Sequence, residues 1–193
     1  MNPAIYFRMP RVASDTIMSR VRYRCSILPH ALHPKQVQHF LLQNETAFRF
    51  TFVRHPYTRF VSAYRWAQQD RDEDLFPFDG YEHHAIGGRS MERVAASLED
   101  LCAHGPAHHF YPQSAYIIDG LRLLVDFIGK FESMLTDYAH VAKRLSLLGD
   151  FPWGPNRKAM SGPTMEVDLS DSIRGHLDEF YAEDFEKLRY ECS

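Results

Sequence analysis

Along the chain the hydrophobic pattern switches period repeatedly, and the switches mark out the elements. Ala4-Ile5-Tyr6-Phe7-Arg8-Met9 is β-rich and mostly apolar, and Pro10 stops it. Ser14-Asp15 then offers an N-cap for a helix to about Arg22, with Ile17, Met18 and Val21 on one face. Residues 23–28 alternate enough for a short second strand. Pro34 opens a helix in which Val37, Phe40 and Leu41 recur at helical spacing. Phe48-Arg49-Phe50-Thr51-Phe52-Val53 alternates aromatic with polar and is the clearest strand; a turn at Arg54-His55-Pro56 and a helix over 57–69 follow. Residues 70–90 read as an exposed loop, and Ser90 begins a helix reaching about His104. Leu123 to Gly129 predicts a buried strand, with a helix from Glu132 to Leu148 after it. Pro152, Gly154, Pro155, Gly162 and Pro163 mark an irregular stretch before a last helix over 172–188.

Strands alternating with helices predict an α/β fold, a mostly parallel sheet flanked by helices on both faces. Such sheets bind ligands at the carboxyl ends of their strands, where helices begin. That rule points to Pro10–Thr16 and to Arg54–Tyr64.

Length and charge narrow the picture further. The 193 residues are expected to form one domain, 1–193, and the first strand lies so near the initiator Met that nothing is expected ahead of it. Lys and Arg number 22 against 25 Asp and Glu, a net charge of -3, so bulk attraction to nucleic acid or an anionic membrane is excluded. No basic stripe with interleaved aromatics points to nucleic acid either. Residues 1–20 carry Arg8, Arg11, Asp15 and Arg20 and lack the apolar core of a signal peptide, and no apolar run is long enough to span a membrane. Cys25, Cys102 and Cys192 are far apart and odd in number, which reads as reduced thiols in a soluble, cytoplasmic protein.

Both strand-to-helix turns have the makings of an anion site. In the first, Arg8-Met9-Pro10-Arg11-Val12-Ala13-Ser14-Asp15-Thr16, backbone N–H groups converge at a helix N-terminus. Arg8 and Arg11 add positive charge, and Ser14 and Thr16 add hydroxyls. It lacks the G-x-x-x-x-G-K-[ST] of the nucleotide P-loop. In the second, Arg54 stands at a strand end, Pro56 starts the helix, and Ser62 lies two turns on. An arginine fork with a helical hydroxyl can grip a phosphate. Arg59 and Tyr64 read as structural, as does His55 within this turn.

Arg54-x-Pro56-x-x-Arg59-x-x-Ser62-x-Tyr64 after a buried strand resembles the segment that holds the 3′-phosphate of PAPS (3′-phosphoadenosine 5′-phosphosulfate) in sulfotransferases. Arg8 to Ser14 resembles the 5′-phosphosulfate loop of the same superfamily, in a framing nearest the carbohydrate and heparan-sulfate 2-O type. Further matches are Pro29-His30-Ala31, His109 to Gln113, Val125 to Glu132, Asp137-Tyr138 through Val141, Pro155-Asn156, and Tyr181 to Tyr190. The resemblance implies a P-loop-like sulfotransferase fold and transfer of a sulfuryl group from PAPS, leaving PAP, to a hydroxyl or amine of a saccharide or small metabolite. It implies no metal.

By this resemblance Arg11 occupies the position of the loop lysine that contacts the leaving oxygen, and Arg8, Arg11, Val12, Ala13, Ser14, Asp15 and Thr16 line the 5′-phosphosulfate. Arg54 and Ser62 take the 3′-phosphate, and Arg157 and Lys158 fall in a segment that closes over the nucleotide. His30 is implied as the base, with His33 as the alternative, because a neutral imidazole accepts a hydroxyl proton near neutral pH. Three positions depart from the family loop. Arg11 replaces lysine, Val12 removes a hydroxyl, and Asp15 sets a carboxylate where the donor phosphate belongs, unless it caps the helix or pairs with Arg8 or Arg11.

Those departures keep a second reading open: a PAP- or nucleotide-binding relative that transfers nothing and regulates a partner. A third is an enzyme of the same fold using a phosphoryl donor, for which Mg²⁺ dependence would be the sign. Other constellations are plainer. His83-His84, His104 and His108-His109 have no metal-ligand spacing and read as surface histidines. Trp66 and Trp153 read as packing, the Asp70–Asp74 run as a solvated segment, and loops 70–90 and 104–118 as the acceptor side.

Overall fold

A computed structural model describes residues 3–29, 31–69, 84–105, 107–149, 151 and 167–192. In chain order the elements are β1 (Ala4–Phe7), α1 (Ser14–Val21), β2 (Ser26–Leu28), α2 (Pro34–Gln43), β3 (Phe48–Val53), α3 (Pro56–Ala67), α4 (Met91–Ala95), α5 (Leu98–His104) and α6 (Ser114–Ile117). Then come β4 (Ile118–Asp119), β5 (Arg122–Leu123), β6 (Phe127–Lys130), a 3₁₀ turn (Phe131–Ser133), α7 (Met134–Leu145), α8 (Asp171–Phe180) and α9 (Ala182–Leu188). They fall into two compact units, Met1–Arg54 with Ala115–Met165, and His55–Ser114 with Glu166–Ser193.

The first unit holds a four-stranded, wholly parallel sheet in the order β2-β1-β3-β6, flanked by helices, and a separate β4-β5 hairpin. Parallel strands covered on both faces leave little room for polar positions. Thus all of β1 and Arg49 to Val53 of β3 are buried, and the aromatic–polar alternation of β3 does not mark a solvent face. Its polar side chains are satisfied internally. Thr51 donates to the Phe7 carbonyl at 2.9 Å, and Arg49 donates to both carboxylate oxygens of Asp126, at 2.9 and 3.2 Å. The Arg49 amide gives that carboxylate a further bond at 2.8 Å. Burial pushes the Asp126 carboxyl up, but the side-chain and backbone bonds from Arg49 outweigh it and hold the group below its ordinary range.

β6 begins four residues later than the expected strand. Leu123 is drawn into the hairpin opposite Ile118, and Asp126 is occupied with Arg49. Gly129 faces Phe52 across the β3–β6 pairing, and a Cβ there would lie 2.4 Å from the Phe52 ring, so only glycine fits. Helix α7 packs on β6.

The second unit is helical, with a core that includes Tyr57, Phe60, Trp66, Val94, Leu98, Phe110, Ile173, Leu177, Tyr181 and Phe185. Arg59 is fully buried and donates to the carbonyls of His109, at 2.9 Å, and Tyr111, at 2.6 Å. Asp184 is fully buried too and accepts from the amides of Gln113, at 2.9 Å, and Ser114, at 2.7 Å. The segment 109–114 is therefore clamped by one buried cation and one buried anion, each desolvated group carrying hydrogen bonds as burial requires. Two expected continuous helices are broken: 90–104 at Ala96-Ser97, and 172–188 at Tyr181, whose hydroxyl donates to the Phe110 carbonyl at 2.8 Å.

Candidate functional site

In the sheet of the first unit β1 sends its chain to β2 on one side, while β3 lies on the other. The strand order therefore reverses between β1 and β3, and the crevice beyond their carboxyl ends is where such sheets take ligands. The segments leaving those two ends are residues 8–13 and Arg54.

The loop after β1 is tightly formed. The Arg8 amide extends the β1–β2 ladder by donating to Leu28 at 3.0 Å, and the Met9 amide turns back to the Phe7 carbonyl at 3.0 Å. Arg11 and Ala13 then both adopt the left-handed conformation, with φ of 64° and 59°. Each costs a non-glycine residue about 1–2 kcal/mol, so two within three positions need a compensating role. Left-handed residues of this kind turn successive N–H groups inward into an anion-binding concavity. Helix α1 starts directly behind it at Ser14, and Ala13, not Ser14, is the N-cap, with no side-chain capping bond. The first-turn N–H groups thus lack intrahelical acceptors and side-chain caps, as an anion site needs.

The side chains settle two of the three departures from the family loop. Val12 is 0% exposed and serves as packing, leaving its backbone to the loop. Asp15 does not cap the helix. Its carboxylate accepts from Arg8 Nη2 at 2.5 Å with 80% of its side chain exposed, so it faces solvent and spends its charge on Arg8. Arg8 Nε is buried with no hydrogen-bond partner among the described residues, a donor that an anion's oxygen would satisfy. Ser14 is buried and Thr16 half-buried.

Arg54 reaches the loop after β1. Its Nη1 donates to the Arg11 carbonyl at 3.3 Å, and its Cζ sits 4.3 Å from the centre of the buried Phe131 ring. Asp137 fixes the turn carrying Phe131 by accepting from the Lys130 amide at 2.7 Å and the Ser133 hydroxyl at 2.5 Å. The sequence points to Val125–Glu132 only as a block and gives Phe131 no role. Its signal is an aromatic just past a strand that pairs with the strand bearing Arg54.

So Arg8, Arg11, Ala13, Asp15 and Arg54 come together in one unit. Ser62 lies half-buried on α3, in the second unit. His30, Arg157 and Lys158 lie outside the described residues, as do Trp153, Asp70–Asp74 and most of loop 70–90. His33 caps α2: its Nδ1 accepts from the Lys35 amide at 3.2 Å, and Gln36 takes the His33 amide at 2.9 Å. His55 caps α3 through Nδ1, and its Nε2 lies 3.2 Å from the Glu191 carbonyl, an acceptor only, so this ring is the neutral Nε2–H tautomer. His108 and His109 are buried, contrary to the surface reading; the His109 ring lies 4.0 Å from Trp66, itself a packing residue. No group of three or more His, Cys, Asp or Glu suited to a metal ion occurs among the described residues. Cys25 lies away from this loop, before β2, where its thiol donates to the Val21 carbonyl at 3.3 Å and burial pushes it up to about 12.

A family model described as the sulfotransferase family matches residues 3–191. Among solved structures, a sulfotransferase from Alicyclobacillus acidocaldarius is similar at 17% identity with a TM-score of 0.47, over 86% of this chain and 64% of that one. The chain therefore spans about 64% of the length of the structure it matches. No curated protein matches.

Proposed function

The chain belongs to the sulfotransferase family, and from that membership we propose that it moves a sulfuryl group from PAPS to a hydroxyl or amine of a saccharide or small metabolite. The observation that carries the reading is the left-handed pair Arg11 and Ala13 ahead of α1, with Arg54 bonded to the loop they form. This arrangement supports an anion cradle at the switch point of the sheet. The buried, unpartnered Nε of Arg8 fits the same anion.

In this proposal the 5′-phosphate rests on the loop amides, Ser14 and Thr16, and Arg54 reaches the 3′-phosphate. The acceptor oxygen attacks sulfur and forms the new S–O bond. The bond from sulfur to the phosphate oxygen breaks, PAP leaves with that electron pair, and the acceptor proton passes to a base. Arg11 hydrogen-bonds the developing charge on the leaving oxygen, a role open to an arginine because it needs charge and donors but no proton transfer. His30 is assigned as the base on the family pattern, and Arg157 and Lys158 as phosphate contacts on the same ground.

The experiment is transfer from radiolabelled PAPS to a panel of saccharides and small alcohols and amines, in the presence of a chelator. The proposal expects label on an acceptor with matching release of PAP. It also expects a loss of about 10²-fold in Arg11→Ala. One observation favours the second reading, a module that binds PAP without transfer: the carboxylate of Asp15 on the first turn of α1. PAP binding with no label on any acceptor would select it. Label moving only with Mg²⁺ and a phosphoryl donor would replace both.

A further inference from the structure

The left-handed turn at Arg11 is costly, and its carbonyl is held from outside the loop. Arg54 Nη1 donates to it at 3.3 Å while the guanidinium lies with Cζ 4.3 Å from the centre of the Phe131 ring. The turn that carries Phe131 is itself tied down, because Asp137 accepts from the Lys130 amide and the Ser133 hydroxyl on either side of it. A planar guanidinium can lie with one face on an aromatic ring and still donate from its edge in a fixed direction, a stacked geometry that lysine does not reproduce. We infer that Arg54 is a positioning residue for the first loop: seated on Phe131, it fixes the Arg11 carbonyl and with it the left-handed turn that shapes the anion cradle.

The inference rests on the nucleotide site proposed above and adds a dependence that a 3′-phosphate grip does not contain. If Arg54 only held the 3′-phosphate, its loss would leave ligands without that group untouched. If it also braces the loop, those ligands weaken too.

The primary measurement needs no ligand. Backbone ¹³C shifts and amide–Hα couplings would be recorded for the wild-type chain and for Arg54→Ala, Arg54→Lys and Phe131→Leu. The expected result is a left-handed signature at Arg11 in the wild type, lost in both Arg54 variants and weakened in Phe131→Leu, with the shifts of β1 and β3 unchanged. An Arg11 that keeps its signature in Arg54→Ala overturns the inference. If Arg54→Ala does not fold, Arg54→Lys and Phe131→Leu decide it by the same signal. The second measurement titrates ADP, which has no 3′-phosphate, into wild type and the Arg54 variants. The inference expects affinity to fall about tenfold in Arg54→Ala, as for one lost bond from a charged donor. Equal ADP affinity alongside weakened PAP would overturn it and leave Arg54 as a 3′-phosphate contact alone. A wild type binding neither nucleotide would sink the proposed function, and the Arg11 signature would still decide this inference.

Discussion

The carboxylate of Asp15 stands on the first turn of α1, where a phosphate would otherwise have the positive end of the helix dipole to itself. Its bond to Arg8 cancels part of that repulsion and also occupies a cation of the loop. Replacing Asp15 by Asn removes the repulsion and releases Arg8, and both effects favour an anion. Asp15→Asn is expected to tighten PAP binding about threefold at low salt, the scale of one exposed charge pair, with the gain shrinking as salt rises. Weaker binding, measured by titration at two ionic strengths, would mean that the ion pair orders the loop. Pairing with Arg8 was among the options the sequence left open. The left-handed turns at Arg11 and Ala13 were not legible, because glycine or asparagine usually marks that conformation and neither residue is present. That Val12, which brings no hydroxyl, packs in the core was not legible either, because side-chain burial in a loop cannot be read from a strand's period.

At the scale of elements, local pattern located β1, α1, α2, β3 and α3 to within a few residues, since each carries its own period and punctuation. The misreadings arise where a tertiary bond overrides local pattern. Leu123 to Asp126 are apolar enough for a strand, yet the Asp126 carboxylate is claimed by Arg49, 77 residues away along the chain. The continuous helix over 172–188 stops at Tyr181 because its ring is buried and its hydroxyl is bound to Phe110. The Arg49–Asp126 latch makes a pH prediction. The folded Asp126 carboxyl titrates below its ordinary range, so its stabilising effect is fully present above the unfolded carboxylate range and is lost as pH falls through the lower, folded value. Asp126→Asn should therefore destabilise the chain at neutral pH, and the gap to wild type should close in acid. Denaturant titrations of both proteins from neutral to acidic pH check this; a gap that widens in acid would contradict it.

For the whole molecule, a net charge of -3 offers no long-range pull on a nucleotide, so binding has to come from a local construction of backbone and arginines. No helix among the described residues is long and apolar enough to cross a membrane. The parallel α/β class followed from the alternation of elements, and with it the two strand-to-helix turns as candidate ligand positions, while family membership followed from motifs spread over the whole chain; the strand order that makes a switch point between β1 and β3 did not. The division into two compact units was not visible, because each is assembled from two separate stretches and no linker composition marks the change. The contact of Arg54 with Arg11 was hidden for a related reason: 43 residues separate them, and only the order of strands brings them together.

The proposed function stands on a site for PAP formed by the loop over residues 8–16 and Arg54. Calorimetric titration of the purified chain with PAP, repeated with Arg54→Ala, tests it without knowledge of the acceptor. The wild type should bind PAP with micromolar or tighter affinity, and Arg54→Ala should lose it. No binding of PAP, or equal binding in Arg54→Ala, would contradict it.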